Sequence, residues 1–141
     1  ARAAGLVLEV VTEVPSVFPL LCAADVLVGS YGNLTFEALA VGLPAVVVAL
    51  KPFMHAYAEV LSRQGAVVNA GLVEQTSAAA LARRLAGLDS ATRRRLSRTG
   101  RTLVDGAGLT RLADLLARYA RPAANQSSPA PAVNAPAPAA A

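Results

Sequence analysis

Tryptophan is absent from this sequence, and cysteine, histidine and methionine occur once each, as Cys22, His55 and Met54. A single cysteine cannot form an intrachain disulfide. One cysteine and one histidine also leave too few soft ligands for a transition-metal site, and no cofactor is expected. Aromatic residues make up 4% of the chain, and none is set among the arginines of the Arg93-Arg94-Arg95 run. That scarcity argues against nucleic-acid binding, although the net charge is +4 and the isoelectric point is near 10.0. The arginines, with Arg98 and Arg101, read instead as the solvated face of an amphipathic helix. A long apolar run is missing too. The longest, Ala38 to Leu50, falls short of the roughly 20 residues that a membrane-spanning helix needs, and Gly42-Leu43-Pro44 breaks it. Any membrane contact is at most peripheral. No basic stretch followed by an apolar one opens the chain, so no signal peptide is read there and a cytoplasmic location is expected. Ala1 is not an initiator residue, so the chain reads as a fragment, a processed chain or a truncated gene product.

What is abundant is Ala, Val and Leu. Hydrophobic residues reach 55% of the 141, with a mean hydropathy of +0.48. Buried strands and alanine-rich helices both use these residues, and the spacing separates them. Leu6 to Val11, Val26 to Val28, Ala45 to Leu50 and Ala66 to Val68 are short apolar runs that predict strands. Between them, Ser16 to Ala24, Leu34 to Val41 and Pro52 to Gln64 predict helices, the second ended by Gly42 and Pro44. Ser77 caps a helix to about Leu88. Two more helices, Ala91 to Val104 and Leu109 to Ala120, join at Asp105-Gly106-Ala107-Gly108. Strands that are apolar on both faces and alternate with helices imply a parallel sheet covered on both sides. The fold class expected is therefore α/β, Rossmann-like, over residues 1–121. Residues 122–141 are Ala/Pro-rich and uncharged and predict a disordered or polyproline-like tail.

Chemistry is expected at the carboxyl edge of that sheet, where ligands of open α/β folds bind. The stretch Val28-Gly29-Ser30-Tyr31-Gly32-Asn33-Leu34-Thr35-Phe36-Glu37 runs from strand end through a glycine-bearing turn into a helix. The helix N-terminus offers unpaired N–H groups and a positive dipole end, which suit a phosphate. Gly32 permits close approach of an anion, Ser30, Asn33 and Thr35 add neutral donors, and Glu37 suits a ribose diol. The competing structural reading has Asn33 capping the helix, Gly32 making the turn and Glu37 complementing the dipole. Tyr31 could stack on a base or shield the phosphate. Cys22, beside Leu20 and Leu21, reads as a buried core residue. His55 has no partner identifiable from spacing.

The segment A-D-V-L-V-G-S-Y-G-N-L-T-F-E-A-L-A-V-G-L-P, from Ala24 to Pro44, resembles the C-terminal half of GT-B nucleotide-sugar enzymes. Its outline is shared by MurG-like glycosyltransferases. It is more similar to the PseG/SpsG family, UDP-sugar hydrolases of pseudaminic acid synthesis and related spore-coat polysaccharide proteins. Those carry a Gly five residues before the Glu, as Gly32 and Glu37 stand here. They also carry a late D-G-x-G-x-x-R segment, matched by Asp105 to Arg111. The resemblance implies the C-terminal, nucleotide-sugar-binding part of a GT-B fold without its first strands. It implies UDP-sugar as ligand and an N-terminal domain as partner. Gly32, Asn33, Leu34 and Thr35 would line the diphosphate, and Glu37 would hold the ribose. The loop around Thr12 to Val17 would face the uracil. The family also places an Asn-Gln pair after the second strand of this stretch. Phe53 and Met54 stand there instead and cannot donate the same hydrogen bonds, so His55 is the candidate substitute. The alternative function expected is a non-catalytic α/β interaction module.

Overall fold

The computed structural model describes residues 7–120. The expected tail at 122–141 lies outside them. The chain divides after Ala107 into two compact units, and the helix from Gly108 belongs to the second.

The first unit is α/β. It runs α1 (Phe18–Ala23), β1 (Leu27–Gly29), α2 (Asn33–Val41), β2 (Ala45–Ala49), α3 (Pro52–Arg63), β3 (Val67–Leu72), α4 (Ala78–Ala86) and α5 (Ser90–Leu103). A 3-10 turn, Val73–Gln75, follows β3. The three strands form one parallel sheet in the order β1-β2-β3. A parallel pair cannot be joined by a tight turn, so α2 and α3 serve as the crossovers. This is the Rossmann-like class expected, with three strands rather than four. Residues 7–12 form no strand, and Val7, Leu8, Val10 and Val11 stand exposed. Leu6 lies outside the described residues. β-propensity expresses itself only where a neighbouring strand and a covering face are present, and among the described residues this segment has neither.

Alternation along β2 divides the core between the two faces. Ala45 and Val47 pack with Leu39 of α2 and Ala58 of α3. Val46 packs on the other face with Ala70, Leu88 and Leu96, and Leu81 and Leu85 of α4 border that cluster. A third cluster of Leu21, Ala38 and Leu43 seats α1. Cys22, beside Leu21, is exposed rather than buried. On a six-residue helix only one side meets the protein, and Leu21 takes it.

Helix ends follow local chemistry. Pro19 lies in the first turn of α1 and Pro52 opens α3, where a missing N–H removes no helical bond. Ser77 and Asp89 cap α4 and α5 by accepting the N–H groups of Ala80 and Thr92, at 3.2 and 2.7 Å. α2 ends in a Schellman motif: Leu43 N–H reaches Ala38 O at 2.8 Å and Gly42 N–H reaches Leu39 O at 3.0 Å. The motif requires a left-handed residue, and Gly42 supplies it at φ +76°.

β3 is longer than expected because it carries a bulge. Val47 pairs with Asn69 but Val48 pairs with Gly71, so Ala70 is the extra residue. The strand expected to end at Val68 runs on through Gly71, which sits at φ +98°. After α5, Gly106 takes φ +75° and the Asp105 carboxylate accepts Ala107 N–H at 3.0 Å, forming the expected glycine turn. The second unit contains α6 (Gly108–Ala120), an amphipathic helix by itself.

Candidate functional site

β1 and β2 point their carboxyl ends toward the β1–α2 turn and the start of α3, and the candidate residues fall there. The N-cap of α2 is Gly32, not Asn33, and no side chain caps this helix. Asn33 is the first helical residue and is exposed. Within the turn, the Thr35 and Phe36 N–H groups both reach Gly32 O, at 3.0 and 3.4 Å. The N–H groups of Asn33 and Leu34 precede the helical ladder and have no acceptor within it.

Gly32 has φ 167° and ψ −168°, extended backbone open to any residue. A Cβ built there would meet nothing within 4 Å. Neither backbone conformation nor packing inside the chain demands glycine at this position.

Thr35 is wholly buried, and its Oγ1 donates to Ser30 O at 2.9 Å. The one hydroxyl proton is committed to holding the turn. The side chain therefore closes the loop from beneath instead of offering its proton to a ligand. Tyr31 is half-buried and stacks on Tyr57 at 5.4 Å and 18°, with its ring edge-on to Phe36 at 5.6 Å and 78°. One ring face is thus occupied by α3. Leu34 is exposed, and Glu37 is exposed with no hydrogen bond or ion pair among the described residues. Ser30 contributes its carbonyl to Thr35.

At the start of α3, Phe53 is 58% exposed, and Met54 and His55 are partly exposed. His55 does have a partner. Its Nδ1 lies 3.1 Å from Asn69 Nδ2, and the same Nδ2 donates to Glu59 Oε2 at 2.9 Å. Asn69 Oδ1 accepts Gly71 N–H at 3.0 Å, across the bulge. Glu59 Oε1 in turn faces Arg63 Nε at 3.5 Å. The Asn69 amide, with Arg63 assisting, holds the Glu59 carboxyl below its usual value against slight desolvation.

This cluster was missed because β3 was expected to end at Val68. Two signals for it are present in the sequence. His55, Glu59 and Arg63 recur at i, i+4 and i+8 on one helix face, and Asn69 is a lone polar residue in an apolar strand.

A separate groove lies at the opposite, amino edge of the sheet. It encloses about 500 Å³ beside Asp25 and Pro44 and is walled by Arg93, Arg94 and Arg98. It contains none of the candidate residues. Arg93 lies 3.8 Å from the exposed Asp25. Arg94, Arg95 and Arg98 are exposed, as expected of a solvated face, while Arg101 reaches back to α2. Among the described residues, no group of three or more His, Cys, Asp or Glu side chains could hold a metal ion. No described helix is long and apolar enough to cross a membrane. In comparisons with known proteins, the chain matches no family model, no curated protein and no solved structure.

Proposed function

We propose that this chain binds the nucleotide part of a UDP-sugar, within a GT-B-type hydrolase or glycosyltransferase of bacterial surface glycan synthesis. The observation carrying this reading is the open start of α2. A helix N-terminus without a side-chain cap follows a parallel strand, at a glycine whose missing side chain nothing in the chain requires. Free N–H groups with the positive end of the dipole are the physical requirements of a diphosphate site. The diphosphate would lie against the Asn33 and Leu34 N–H groups, with Gly32 beneath it. Glu37, one turn on from Asn33 and unpaired among the described residues, would accept the ribose hydroxyls. In either reaction the diphosphate leaves, and fixed N–H groups stabilise the charge that develops on it.

The chain by itself turns over no UDP-sugar under this proposal, because a further domain would supply the rest of the catalytic groups. A cytoplasmic location accompanies this role. UDP titration with thermal unfolding as readout tests the binding claim. The expected result is an unfolding temperature that rises with UDP concentration, since a ligand of the folded state alone stabilises it by mass action. An unchanged transition at saturating millimolar UDP overturns it.

A second reading has its own observation. Phe53, Tyr57 and Val60 recur at helical spacing on α3 and are about half exposed or more, at 58%, 55% and 49%. An exposed apolar stripe of this kind is the mark of an α/β module that packs on a partner. Absence of UDP binding together with self-association or partner capture through α3 would favour it.

A further inference from the structure

Three hydrogen bonds converge on the side chain of Asn69. Oδ1 accepts from Gly71 N–H at 3.0 Å, and Nδ2 lies 2.9 Å from Glu59 Oε2 and 3.1 Å from His55 Nδ1. An amide has an acceptor end and a two-donor end, and a lone amide could face either way. This one cannot. Turned over, it would set its N–H groups against the Gly71 N–H and its oxygen against the Glu59 carboxylate. Both of those hydrogen bonds would become repulsions. The bulge fixes the Gly71 N–H, which can only donate, and an ionised Glu59 carboxylate can only accept. Nδ2 must therefore face His55.

An N–H donor facing Nδ1 requires Nδ1 to accept. In a neutral imidazole the single ring hydrogen then resides on Nε2. Nε2 has no partner among the described residues. It is not a buried orphan either, because no buried side-chain nitrogen or oxygen there lacks a partner. It is therefore open to a ligand. This is the reverse of a catalytic general base, in which a carboxylate or carbonyl accepts from Nδ1–H and leaves Nε2 free to take a proton.

We propose that Asn69 is a positioning residue that holds His55 as its neutral Nε2–H tautomer, making His55 a hydrogen-bond donor to acceptor-only ligand groups such as phosphate oxygens. The phosphate target rests on the nucleotide reading above; the tautomer does not. Tyr31, in the turn that leads into α2, stacks on Tyr57, on the side of α3 away from the one His55 turns to Asn69. That contact ties α3 to the proposed diphosphate site.

Because His55 is the only histidine, long-range 1H–15N correlation on the labelled full chain reports one imidazole with no assignment problem. Measured well above the ordinary histidine pKa, the wild-type ring should carry its hydrogen on Nε2, with Nδ1 at the shift of a bare, accepting nitrogen. Asn69→Asp keeps an acceptor for Gly71 but sets an oxygen against both Nδ1 and Glu59 Oε2, and only the ring can answer with a proton at this pH, so the hydrogen should move to Nδ1. A wild-type ring protonated on Nδ1, or one averaged between tautomers, overturns the proposal, and that spectrum decides the matter even if Asn69→Asp fails to fold. On adding UDP, the Nε2 resonance should shift more than Nδ1, and Asn69→Asp should bind UDP roughly tenfold more weakly. UDP binding with Nε2 unmoved would overturn the donor role while leaving the nucleotide reading intact. No UDP binding, with Nε2–H still in place, would overturn the nucleotide reading and the phosphate target but uphold positioning by Asn69.

Discussion

The guanidinium of Arg101 grips the carbonyl oxygen of Val41, sixty residues earlier, with Nη2 at 2.9 Å and Nε at 3.2 Å. Val41 is the last residue of α2, and its carbonyl is one of those a helix end leaves without an N–H partner. A cation at that end also complements the dipole. The last turn of α5 thereby fastens the C-terminus of α2, the helix whose other end faces the proposed ligand.

Gly42 lies directly beneath this contact. A Cβ there would collide with the Arg101 guanidinium and stand 2.8 Å from Ser97 Oγ, at a φ that L-residues resist. Gly42→Ala should cost about 2 kcal/mol in urea unfolding, and Arg101→Ala about 1 kcal/mol. The double variant should cost less than the sum, because removing Arg101 relieves the collision. Strict additivity would show that the two residues do not share this space.

Gly100 packs α5 onto α2. A Cβ at that position would come within 3.0 Å of Leu39 Cδ2, 3.2 Å of Leu39 O and 3.3 Å of Leu39 Cα. Alanine gains about 1 kcal/mol in helix propensity over glycine, while overpacking costs about 1–3 kcal/mol. Two of the three neighbours are backbone of a buried helix segment and cannot swing aside, so Gly100→Ala should lower stability by about 1 kcal/mol. A higher denaturation midpoint would show that the helices can separate to accommodate a methyl group.

Gly32 should give the opposite sign in stability and a loss in binding. Asp is a better N-cap than Gly, and the space for its side chain is empty. Gly32→Asp should therefore stabilise α2 by a few tenths of a kcal/mol and abolish UDP binding, since its carboxylate would take the place of the phosphate. Undiminished UDP affinity in a stable Gly32→Asp variant would remove the diphosphate from this turn.

Two carboxylates make stability depend on pH in acid. The Thr92 backbone N–H, followed by its hydroxyl, holds the Asp89 carboxyl below 3.8, and the Asn69 amide holds the Glu59 carboxyl below 4.5. A carboxyl lowered in the folded state binds protons less readily there than in the unfolded chain. Its contribution is therefore complete above the unfolded value and is lost as pH falls through the folded one. Wild type should exceed Asp89→Ala and Glu59→Gln in stability at neutral pH, and the margin should shrink below about pH 4. Margins that stay constant from pH 7 to pH 2 would separate these carboxylates from the acid response.

The element order and most boundaries were legible because local chemistry sets them. Pro44 and Gly42 stop α2, Ser77 starts α4, and Gly106 makes the last turn at positive φ. The strand expected at Leu6 to Val11 failed for want of a neighbour, which no local pattern reveals. The candidate site was half legible. The turn proposed to hold the diphosphate follows from Gly32 and the helix that begins after it. The burial of Thr35 beneath Ser30, the stacking of Tyr31 on Tyr57 and the tie from Asn69 to His55 did not follow, since each joins residues through packing or across elements.

By itself the sequence determined an α/β unit with parallel strands, because uninterrupted Ala and Val runs are stable only between two layers of helices. It also determined most helix ends to within a few residues, through Gly42, Pro52, Ser77 and Gly106. Only the tertiary structure decided which polar groups meet. The bulge in β3 sets Gly71 N–H beside the Asn69 amide, and the packing of α3 on β3 brings Glu59 and His55 to the same amide.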